Sequence, residues 1–574
     1  MSDNYLKGIP ASDGISVGPV FYYIPAKLII PVCNAGTVEE EMFRFAAARE
    51  RARVELQGLY EAVERRAGKE EASIFEAHQE MLSDPTLEAK VLEFVEIGLA
   101  AEQALAKAVE ELADLLAGMG EELFASRAQD VRDVGRRVLR ILLGLPDTAL
   151  SAITEPSIIV AEDLTPSDTA SLDPALTLGF VTAQGGLTSH SAILARTLGF
   201  PAIVGTGNDL LEKISSGISI VMDGRTGEVF IEPDKETVAH YLQIKAQRES
   251  QLQILKIAAN RDAHSANGRR VEVAANVGEV SSARDALEHG AEGIGLLRTE
   301  FLYLEDSQPP SEEKQYRIYR EIFEVMRGRP VIVRTLDIGG DKPPSYLPIP
   351  EEMNPFLGWR AIRISLDEPD LFKTQLRAIL RAAAGHHARI MFPMISDLDE
   401  LRRAREIVER VKLDLSRDSV EFAMNVPVGI MVETPAAAVL VDVLAEASDF
   451  FSLGTNDLTQ YTMAVDRGNA RVSGLYQPLH PSVLRLIKQT IDAGHSKGKW
   501  VGMCGELAGM TRAIPILLGF GLDEFSMNPR AIPEAKHLIS KLTDEKAREI
   551  AGQAMSFGTA VEIENHMKEF LASL

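Results

Sequence analysis

Hydrophobic positions repeat differently along the chain, and each pattern predicts a different architecture. Between 37 and 143, apolar residues recur at helical spacing in segments such as 39–46 and 131–139, and glycine and proline are scarce. The sequence Ser-Asp-Pro-Thr at 83–86 ends one helix and can begin the next. The pattern therefore predicts a bundle of helices over 37–143.

Short apolar runs separated by glycine and proline flank this segment and predict β-strands. These runs occupy 15–22, 157–161, 178–182, 202–205 and 218–223. The simplest arrangement joins 1–36 and 144–233 into one α/β domain, with the helical bundle inserted into it. The polar segment 234–262 is then predicted to be a long linking helix.

The remaining segment, 263–574, repeats the order strand, loop and helix. Eight strands are predicted, at 272–276, 293–298, 331–336, 389–394, 428–433, 450–455, 500–504 and 522–527. Helical segments separate most of these strands, at 279–289, 398–412, 435–446 and 482–497. Strands that alternate with helices pair in parallel, and eight such units over ~250 residues are typical of a (β/α)8 TIM-type barrel. An open doubly wound sheet is the alternative.

The composition fits a multidomain globular protein. Hydrophobic residues make up 45% of the chain and charged residues 25%, and its 574 residues exceed the ~250–300 that a single core serves. The formal net charge of -24 argues against a general nucleic-acid binder, but an acidic surface can attract a basic protein partner. The two cysteines, Cys33 and Cys504, lie far apart and suggest neither a disulfide framework nor a zinc site.

The amino-terminal residues show no basic segment followed by an apolar run, so no signal peptide is predicted. No stretch is apolar for long enough to span a bilayer. We therefore expect a cytoplasmic location.

Polar or reactive side chains follow five of the predicted barrel strands. They are Arg298, Arg334, Glu433, Asn456 with Asp457, and Cys504. Parallel barrel strands direct their carboxyl ends to one face, so these side chains are expected to converge there. Arginines match phosphate and carboxylate oxygens, and one or two carboxylates typically hold Mg²⁺, so the set suits a small phosphorylated acid with a magnesium ion. Each charged residue alone fits a surface ion pair equally well, and Cys504 alone fits a buried structural thiol better.

A second candidate site is the sequence Gly-Gly-Leu-Thr-Ser-His at 185–190. The glycines permit a tight turn, and Thr188 or Ser189 can cap a helix that begins near His190. The free N–H groups of a helix amino terminus favour an anion, so a phosphoryl group on His190 would be stabilised there. A histidine that only helps to cap the helix fits the local sequence comparably. No Gly-x-x-x-x-Gly-Lys-Ser/Thr loop is present, so ATP use is unsupported.

With these motifs the chain resembles the family of phosphoenolpyruvate–protein phosphotransferases, enzyme I of the bacterial sugar phosphotransferase system, over essentially its whole length. Besides the segment at 185–190, the motifs that carry the resemblance are Leu-Arg-Thr-Glu-Phe-Leu at 297–302, Asp-Ile-Gly-Gly-Asp-Lys at 337–342, Asn-Pro-Phe-Leu-Gly-Trp-Arg at 354–360, Met-Val-Glu-Thr-Pro-Ala at 431–436, Gly-Thr-Asn-Asp-Leu-Thr-Gln-Tyr at 454–461 and Gly-Met-Cys-Gly-Glu at 502–506. Pyruvate phosphate dikinase and phosphoenolpyruvate synthase share the phosphohistidine segment and the barrel more loosely.

The resemblance implies an α/β phosphohistidine (swivelling) domain at 1–36 and 144–233, with a helical domain at 37–143 that docks the histidine-containing phosphocarrier protein. It also implies a linker helix at 234–262 and a barrel at 263–574 that binds phosphoenolpyruvate and forms the homodimer. Under this resemblance the enzyme needs Mg²⁺ and belongs to the sugar branch of the family, not to its longer nitrogen-related branch.

The resemblance also implies a role for each candidate residue. His190 becomes the phosphohistidine, and Cys504 is the acid that protonates the departing enolate to give pyruvate. The implied magnesium ligands are Glu433 and Asp457. The implied substrate-binding residues are Arg298, Arg334, Asn456, Asp457 and Arg467, with Arg360 in addition.

One position departs from the family pattern. Leu187 stands where many members carry a basic or otherwise different residue, which alters the local field near His190. Two alternatives to the phosphotransferase hypothesis remain. One is a dikinase or synthase, for whose ATP-grasp domain the chain has no room, and the other is a non-catalytic regulatory relative, although the candidate catalytic and metal-binding residues are all present.

Overall fold

A computed structural model of the chain describes the residues 4–24, 28–31, 35–67, 69–118, 122–145, 150, 152–186, 189–304, 308–339, 344, 346–347, 352–467, 469 and 471–574. The chain divides into two compact units, 1–249 and 250–574. Each unit has its own β-sheet and its own hydrophobic core. Within the described ranges, every helix is too short or too polar to cross a lipid bilayer.

The first unit is built on an eight-stranded sheet. Its strands are β1 (Tyr5–Lys7), β2 (Ile9–Ser12), β3 (Ile15–Tyr23), β4 (Ser157–Ala161), β5 (Thr177–Thr182), β6 (Ala202–Val204), β7 (Ser219–Asp223) and β8 (Glu228–Ile231). Their order is β1-β8-β7-β3-β4-β5-β6-β2, and the run from β3 to β6 is parallel. All five residues of β4 are buried, as expected for a central parallel strand that is covered on both faces.

Among the described residues between β3 and β4 are five helices, in the segment for which helical spacing predicts a bundle. They are α1 (Val38–Ala67), α2 (Lys69–Leu82), α3 (Pro85–Glu96), α4 (Ala101–Ala117) and α5 (Glu122–Leu142). The predicted break lies between α2 and α3, where Asp84 caps the new helix by accepting a 2.7 Å hydrogen bond from the Thr86 N–H. Phe45, Phe75 and Leu105 are fully buried in the core of this bundle.

The described part of the first unit and its connection to the second contain four more helices: α6 (Pro166–Ala170), α7 (His190–Leu198), α8 (Asp209–Lys213) and α9 (Lys235–Ala259). The helix α9 corresponds to the predicted linker helix and runs across the boundary between the two units. The predicted division of the chain into four functional segments stays a prediction.

The second unit is a closed barrel of eight parallel strands. They are β9 (Glu272–Val277), β10 (Ile294–Leu297), β11 (Val331–Arg334), β12 (Ala388–Phe392), β13 (Val428–Val432), β14 (Phe450–Leu453), β15 (Trp500–Met503) and β16 (Glu524–Met527). Each strand pairs with the next, and β16 pairs with β9 to close the barrel. The prediction of a (β/α)8 barrel is therefore confirmed, and the alternative of an open sheet is wrong.

Helices follow the barrel strands in the expected alternation. They are α10 (Val280–Glu288), α11 (Phe301–Leu304), α12 (Glu312–Val325), α13 (Ile362–Asp367), α14 (Pro369–Ala382), α15 (Leu398–Arg417), α16 (Pro435–Val439), α17 (Val441–Leu444), α18 (Thr455–Met463), α19 (Pro481–Ser496), α20 (Ile514–Phe520), α21 (Ile532–Lys541), α22 (Asp544–Ala554) and α23 (Ala560–Ala572). The helix predicted at 435–446 is two short helices, because Leu440 leaves helical geometry at φ -99° and ψ 13°.

Three short strands of the first unit were not predicted, namely β1, β2 and β8. β1 pairs with β8 in antiparallel fashion, so that Tyr5 lies opposite Phe230. A strand of three or four residues contains too few positions to show alternation, and β1 lies more than two hundred residues from its partner β8. Only the assembled sheet identifies these segments as strands.

A buried lysine connects the end of α9 to the barrel through hydrogen bonds. The Lys536 ammonium group donates hydrogen bonds to the carbonyl oxygens of Ala259, Arg261 and Gly290, at 3.3, 2.8 and 2.7 Å. It also lies 3.0 Å from the carboxylate of Glu292, and the side chains of both charged residues are at least nine-tenths buried. Burial of a charge is tolerated when the charge is paired and hydrogen-bonded, as it is here.

Replacing Lys536 with methionine should lower the free energy of unfolding of the second unit by about 3–5 kcal/mol, because Glu292 would remain buried without its nearest cation. Its other ion-pair partner, Arg270, is exposed and lies 3.8 Å away. Urea unfolding followed by tryptophan fluorescence measures this unit, since both tryptophans, Trp359 and Trp500, belong to it. The control is Lys546→Met, which breaks an exposed ion pair with Glu549 and should change the free energy by less than about 1 kcal/mol. Equal losses in the two variants would contradict the assigned role of Lys536.

Candidate active site

The candidate residues of the barrel stand where its strands end. Arg298 follows β10, Arg334 is the last residue of β11, Glu433 follows β13 and Cys504 follows β15. Asp457 belongs to the first turn of α18, which begins two residues after β14. Because all eight strands are parallel, these positions share the carboxyl face of the barrel.

Arg334 is held between two acidic side chains. Its Nη2 donates to Glu300 at 2.9 Å, and its Nη1 lies 2.9 Å from the carboxylate of Asp337. Burial works against its charge, but the two carboxylates raise the pKa of Arg334, so the guanidinium stays charged. Burial alone would raise the pKa of Asp337, yet Arg334 and Arg360 keep it lowered. The Nε of Arg334 is buried without an acceptor among the described residues.

Arg360 links Arg334 and Asp337 to Asp457, which follows β14. Its Nη2 donates to Asp337 at 2.9 Å and to Asp457 at 3.1 Å. Its Nη1 donates to the hydroxyl oxygen of Tyr461 at 3.2 Å, and that hydroxyl donates to the carbonyl of Phe356 at 2.5 Å. The segment that contains Phe356 and Arg360 is thereby fastened to α18.

Glu433 and Asp457 form a pair of buried carboxylates, which are 2% and 7% exposed. Glu433 accepts a 2.6 Å hydrogen bond from the backbone N–H of Met394. Burial, followed by the nearby charges of Asp457 and Asp337, raises the pKa of Glu433 to about 8. The Oδ1 of Asp457 has no hydrogen-bond donor among the described residues, although it is buried.

These two carboxylates fit a divalent cation. A bound cation would give the Oδ1 of Asp457 a partner, and its positive charge would favour the ionised form of Glu433. In the part of the chain that the structure describes, no third acidic, histidine or cysteine side chain completes a metal site with them. Mg²⁺ is typically bound in this way, by one or two carboxylates together with substrate oxygens and water.

Cys504 is buried at the centre of the barrel face, with 3% of its surface exposed. It packs in an apolar cluster with Leu296, Ile332, Met391, Met431 and Phe450. Burial raises the pKa of the Cys504 thiol to about 12, so the group is protonated at neutral pH. The next residue must be glycine, because a Cβ on Gly505 would lie 1.9 Å from the Thr455 hydroxyl at the start of α18.

Three further candidates, Arg298, Asn456 and Arg467, lie at the rim of this group of buried side chains and are less buried. The side-chain amide of Asn456 donates to Glu506 at 3.2 Å and accepts from the N–H of Glu506 at 3.0 Å, which fixes its orientation. The Arg467 side chain is 42% exposed and lies 4.0 Å from Asp457. Arg298 is exposed and forms no ion pair with any described residue, so its guanidinium is free to bind an anion.

His190 belongs to the first unit and is the first residue of α7. Ser189 caps this helix by accepting a 3.3 Å hydrogen bond from the Ala192 N–H, as the sequence predicts. Leu187 and the alternative cap, Thr188, lie outside the described residues. The backbone of Gly205 passes close to the loop before the helix, because a Cβ there would lie 2.9 Å from the carbonyl oxygen of Gly185.

The structure thus adds four groups to the predicted set: the carboxylates of Glu300 and Asp337, the hydroxyl of Tyr461, and the backbone N–H of Met394. Glu300 belongs to the motif at 297–302 that contains Arg298, and Asp337 follows Arg334 by three residues. Their positions were therefore visible in the sequence, although their pairing was not. Nothing in the apolar side chain of Met394 points to its role, which depends on a backbone N–H at a left-handed φ of 58°.

Three family models match successive parts of the chain. They are described as PEP-utilising enzyme, N-terminal (residues 7–127), PEP-utilising enzyme, mobile domain (153–227) and PEP-utilising enzyme, PEP-binding domain (253–543). The candidate residue His190 falls in the second matched segment, and the candidates of the barrel face fall in the third.

The chain is also similar to curated proteins over nearly its full length. Proteins named phosphoenolpyruvate-protein phosphotransferase from Staphylococcus carnosus and Geobacillus stearothermophilus are 43% and 46% identical to it, over 98% of this chain and 99% and 97% of theirs. A protein of the same name from Haemophilus influenzae is 43% identical over 99% of both chains.

In a Cys33→Ser background, iodoacetamide should alkylate Cys504 at least about 100-fold more slowly in the folded protein than in urea at pH 8. The thiolate is the reactive form, and burial disfavours it. The folded-state pKa is the higher one, so the stabilisation that the neutral thiol contributes is present below pH ~8.5 and is lost as the pH rises towards about 12. Similar alkylation rates in the two states would mean that the thiol is exposed or ionised.

Proposed function

Because the chain belongs to the phosphoenolpyruvate-protein phosphotransferase family, we propose that it transfers the phosphoryl group of phosphoenolpyruvate to His190 and releases pyruvate. The phosphoryl group then passes to the histidine-containing phosphocarrier protein of the sugar phosphotransferase system. The observation that carries the proposal is the convergence, on one barrel face, of charged arginines, two buried carboxylates and a protonated thiol. Relatives of the same name cover nearly the whole chain, so the dikinase or synthase alternative has no support.

The arginines bind the anionic substrate. Arg298 is exposed and unpaired among the described residues, and Arg334 keeps one buried N–H without an acceptor, so both can meet phosphate oxygens. Asn456 and Arg467, at the rim, complete the substrate contacts. Phosphoryl transfer depends mainly on positioning and on stabilisation of charge, which this set provides without rearrangement.

Glu433 and Asp457 hold the magnesium ion. When bound, Mg²⁺ neutralises charge on the phosphate and on the developing enolate oxygen. The open Oδ1 of Asp457 supports this assignment. The raised pKa of Glu433 makes cation binding and proton binding compete at this carboxylate.

The chemistry needs a nucleophile and an acid. A ring nitrogen of His190 forms the new bond to phosphorus, while the bond from phosphorus to the enolate oxygen breaks. The methylene carbon of the enolate then takes the proton of the Cys504 thiol, which yields pyruvate and leaves a thiolate that regains its proton from water. The alkylation experiment tests the protonation state that this role requires.

Each segment has a part in the transfer. The nucleophile belongs to one unit and the substrate site to the other, so α9, which joins them, is the proposed hinge. A cross-link that holds the two units fixed should abolish the transfer. The helical segment docks the phosphocarrier protein. Exposed apolar side chains on α1 support this role, such as Phe43 and Val54, which are 75% and 63% exposed.

The barrel also forms the homodimer. Val439 and Val443 support this, since they are apolar and exposed on neighbouring helices of the barrel. Sedimentation of the wild-type chain and of a Val443→Asp variant tests the assignment, which fails if the wild type is a monomer at micromolar concentration. The cytoplasmic location stays a prediction.

Incubation with phosphoenolpyruvate and Mg²⁺ should increase the intact mass of the wild type by about 80 Da, the mass of one phosphoryl group, and acid should remove it. His190→Ala should show no gain. Adding the histidine-containing phosphocarrier protein should move the gain to that protein. No gain in the wild type would favour the non-catalytic alternative, and a gain that persists in His190→Ala would identify a different nucleophile.

Asp457→Asn should raise the Mg²⁺ concentration required for half-maximal phosphorylation by at least about tenfold, because the cation loses one of two carboxylate ligands. Mn²⁺ binding, followed by electron paramagnetic resonance, should weaken in parallel. The matched control is Asp442→Asn, the same change at an exposed position of the barrel. An unchanged Mn²⁺ affinity in Asp457→Asn would remove this residue from the metal site, whatever happens to activity.

A further inference from the structure

The amino-terminal end of the barrel contains a cavity of about 570 Å³, here called the amino-end cavity. Its walls come from Arg389 of β12, Phe450 and Trp500 at the starts of β14 and β15, Lys412 of α15, and the segment 424–427 before β13. Parallel strands place their amino ends on the barrel face opposite to their carboxyl ends. The amino-end cavity is therefore separate from the candidate active site.

Arg389 places a guanidinium group in the wall of this cavity. Among the described residues it forms no ion pair, and its Nη1 is buried without a hydrogen-bond acceptor. Its guanidinium lies over the ring of Trp500, 4.8 Å from the ring centroid. Glu272 and Glu524 interact with it electrostatically but form no ion pair with it, and burial raises the pKa of both.

The remaining walls provide a second cation and an apolar surface. The Lys412 side chain is 13% exposed and pairs with Glu409 at 2.8 Å. The one carboxylate in the wall, Asp449, accepts on its Oδ2 from the Val428 N–H at 2.8 Å and forms an ion pair with Arg405 at 3.1 Å. The apolar residues of the wall are Met424, Val426, Pro427, Phe450 and Trp500.

We propose that the amino-end cavity binds a small organic anion, a carboxylate with a flat apolar body. The carboxylate pairs with Arg389, whose guanidinium fork matches its two oxygens, and Lys412 adds to the attraction. The body lies against Trp500 and the other apolar groups of the wall. The volume falls within the range of about 300–1,000 Å³ that is common for small-molecule sites. This site does not depend on the proposed phosphotransfer reaction.

Benzoate is a suitable probe, and benzamide is its uncharged counterpart of the same shape. A Trp359→Phe background leaves Trp500 as the only tryptophan of the full-length chain, so its fluorescence reports directly on the cavity. Benzoate should change this fluorescence to saturation, and benzamide should bind at least about tenfold more weakly because it lacks the charge that Arg389 requires. Excess phosphoenolpyruvate with Mg²⁺ should leave benzoate binding unchanged.

Substitutions locate the binding. Arg389→Gln should weaken benzoate binding by at least about tenfold, and Lys412→Gln should weaken it by about threefold. The control is Arg417→Gln on the same helix, which breaks a similar ion pair to the acid three residues earlier, Asp414, on the exposed surface. If Arg389→Gln does not fold, the comparison of Lys412→Gln with Arg417→Gln still shows whether benzoate binds at the cavity wall.

Three results would overturn the proposal: fluorescence that does not saturate with benzoate, benzamide that binds as well as benzoate, or displacement of benzoate by phosphoenolpyruvate. Equal binding by the Lys412→Gln and Arg417→Gln variants would also overturn it, because binding would then not involve the cavity wall.

Discussion

A chain of buried ion pairs organises the carboxyl face of the barrel. It runs from Arg334 through Asp337 and Arg360 to Asp457, and every link is between 2.9 and 3.1 Å. Removing these charges from water costs several kcal/mol for each ion, and the cost is offset only when each ion meets a partner with good geometry. The partners come from different strand ends, so the arrangement exists only when the barrel is closed.

The same chain leaves particular atoms unsatisfied. Arg334 and Arg360 each keep a buried Nε without an acceptor among the described residues, and Asp457 keeps an open oxygen. N–H donors that can bind an anion and a carboxylate oxygen that can bind a cation therefore lie close together. Such preorganisation lets a site stabilise charge during a reaction without moving its own dipoles, which is the largest contribution in many enzymes.

The buried arginines at the two ends of the barrel have different partners. At the carboxyl end, both buried arginines form ion pairs with Asp337 at 2.9 Å and keep the pKa of that carboxyl group lowered. At the amino end, Arg389 forms no ion pair with any described residue, and its guanidinium lies over the ring of Trp500. This difference is the physical basis for assigning a separate anion site to the amino-end cavity.

The sequence by itself determined the barrel, the helical bundle and most of the candidate residues. Hydrophobic period and glycine or proline breaks are local properties, so strands such as β4 and β13 were located within a residue of their observed bounds. The position of Glu433 or Cys504 after a strand is also local information. Short strands such as β1 were missed, because their pairing rather than their pattern makes them strands.

Only the tertiary structure decided which groups touch and how they ionise. Arg360 and Asp457 are 97 residues apart in sequence, and Tyr461 holds a loop that begins more than a hundred residues earlier. The pKa of Glu433 depends on burial and on charges from other strand ends. These properties depend on distances between residues that are far apart in sequence, and those distances are set only when the barrel closes.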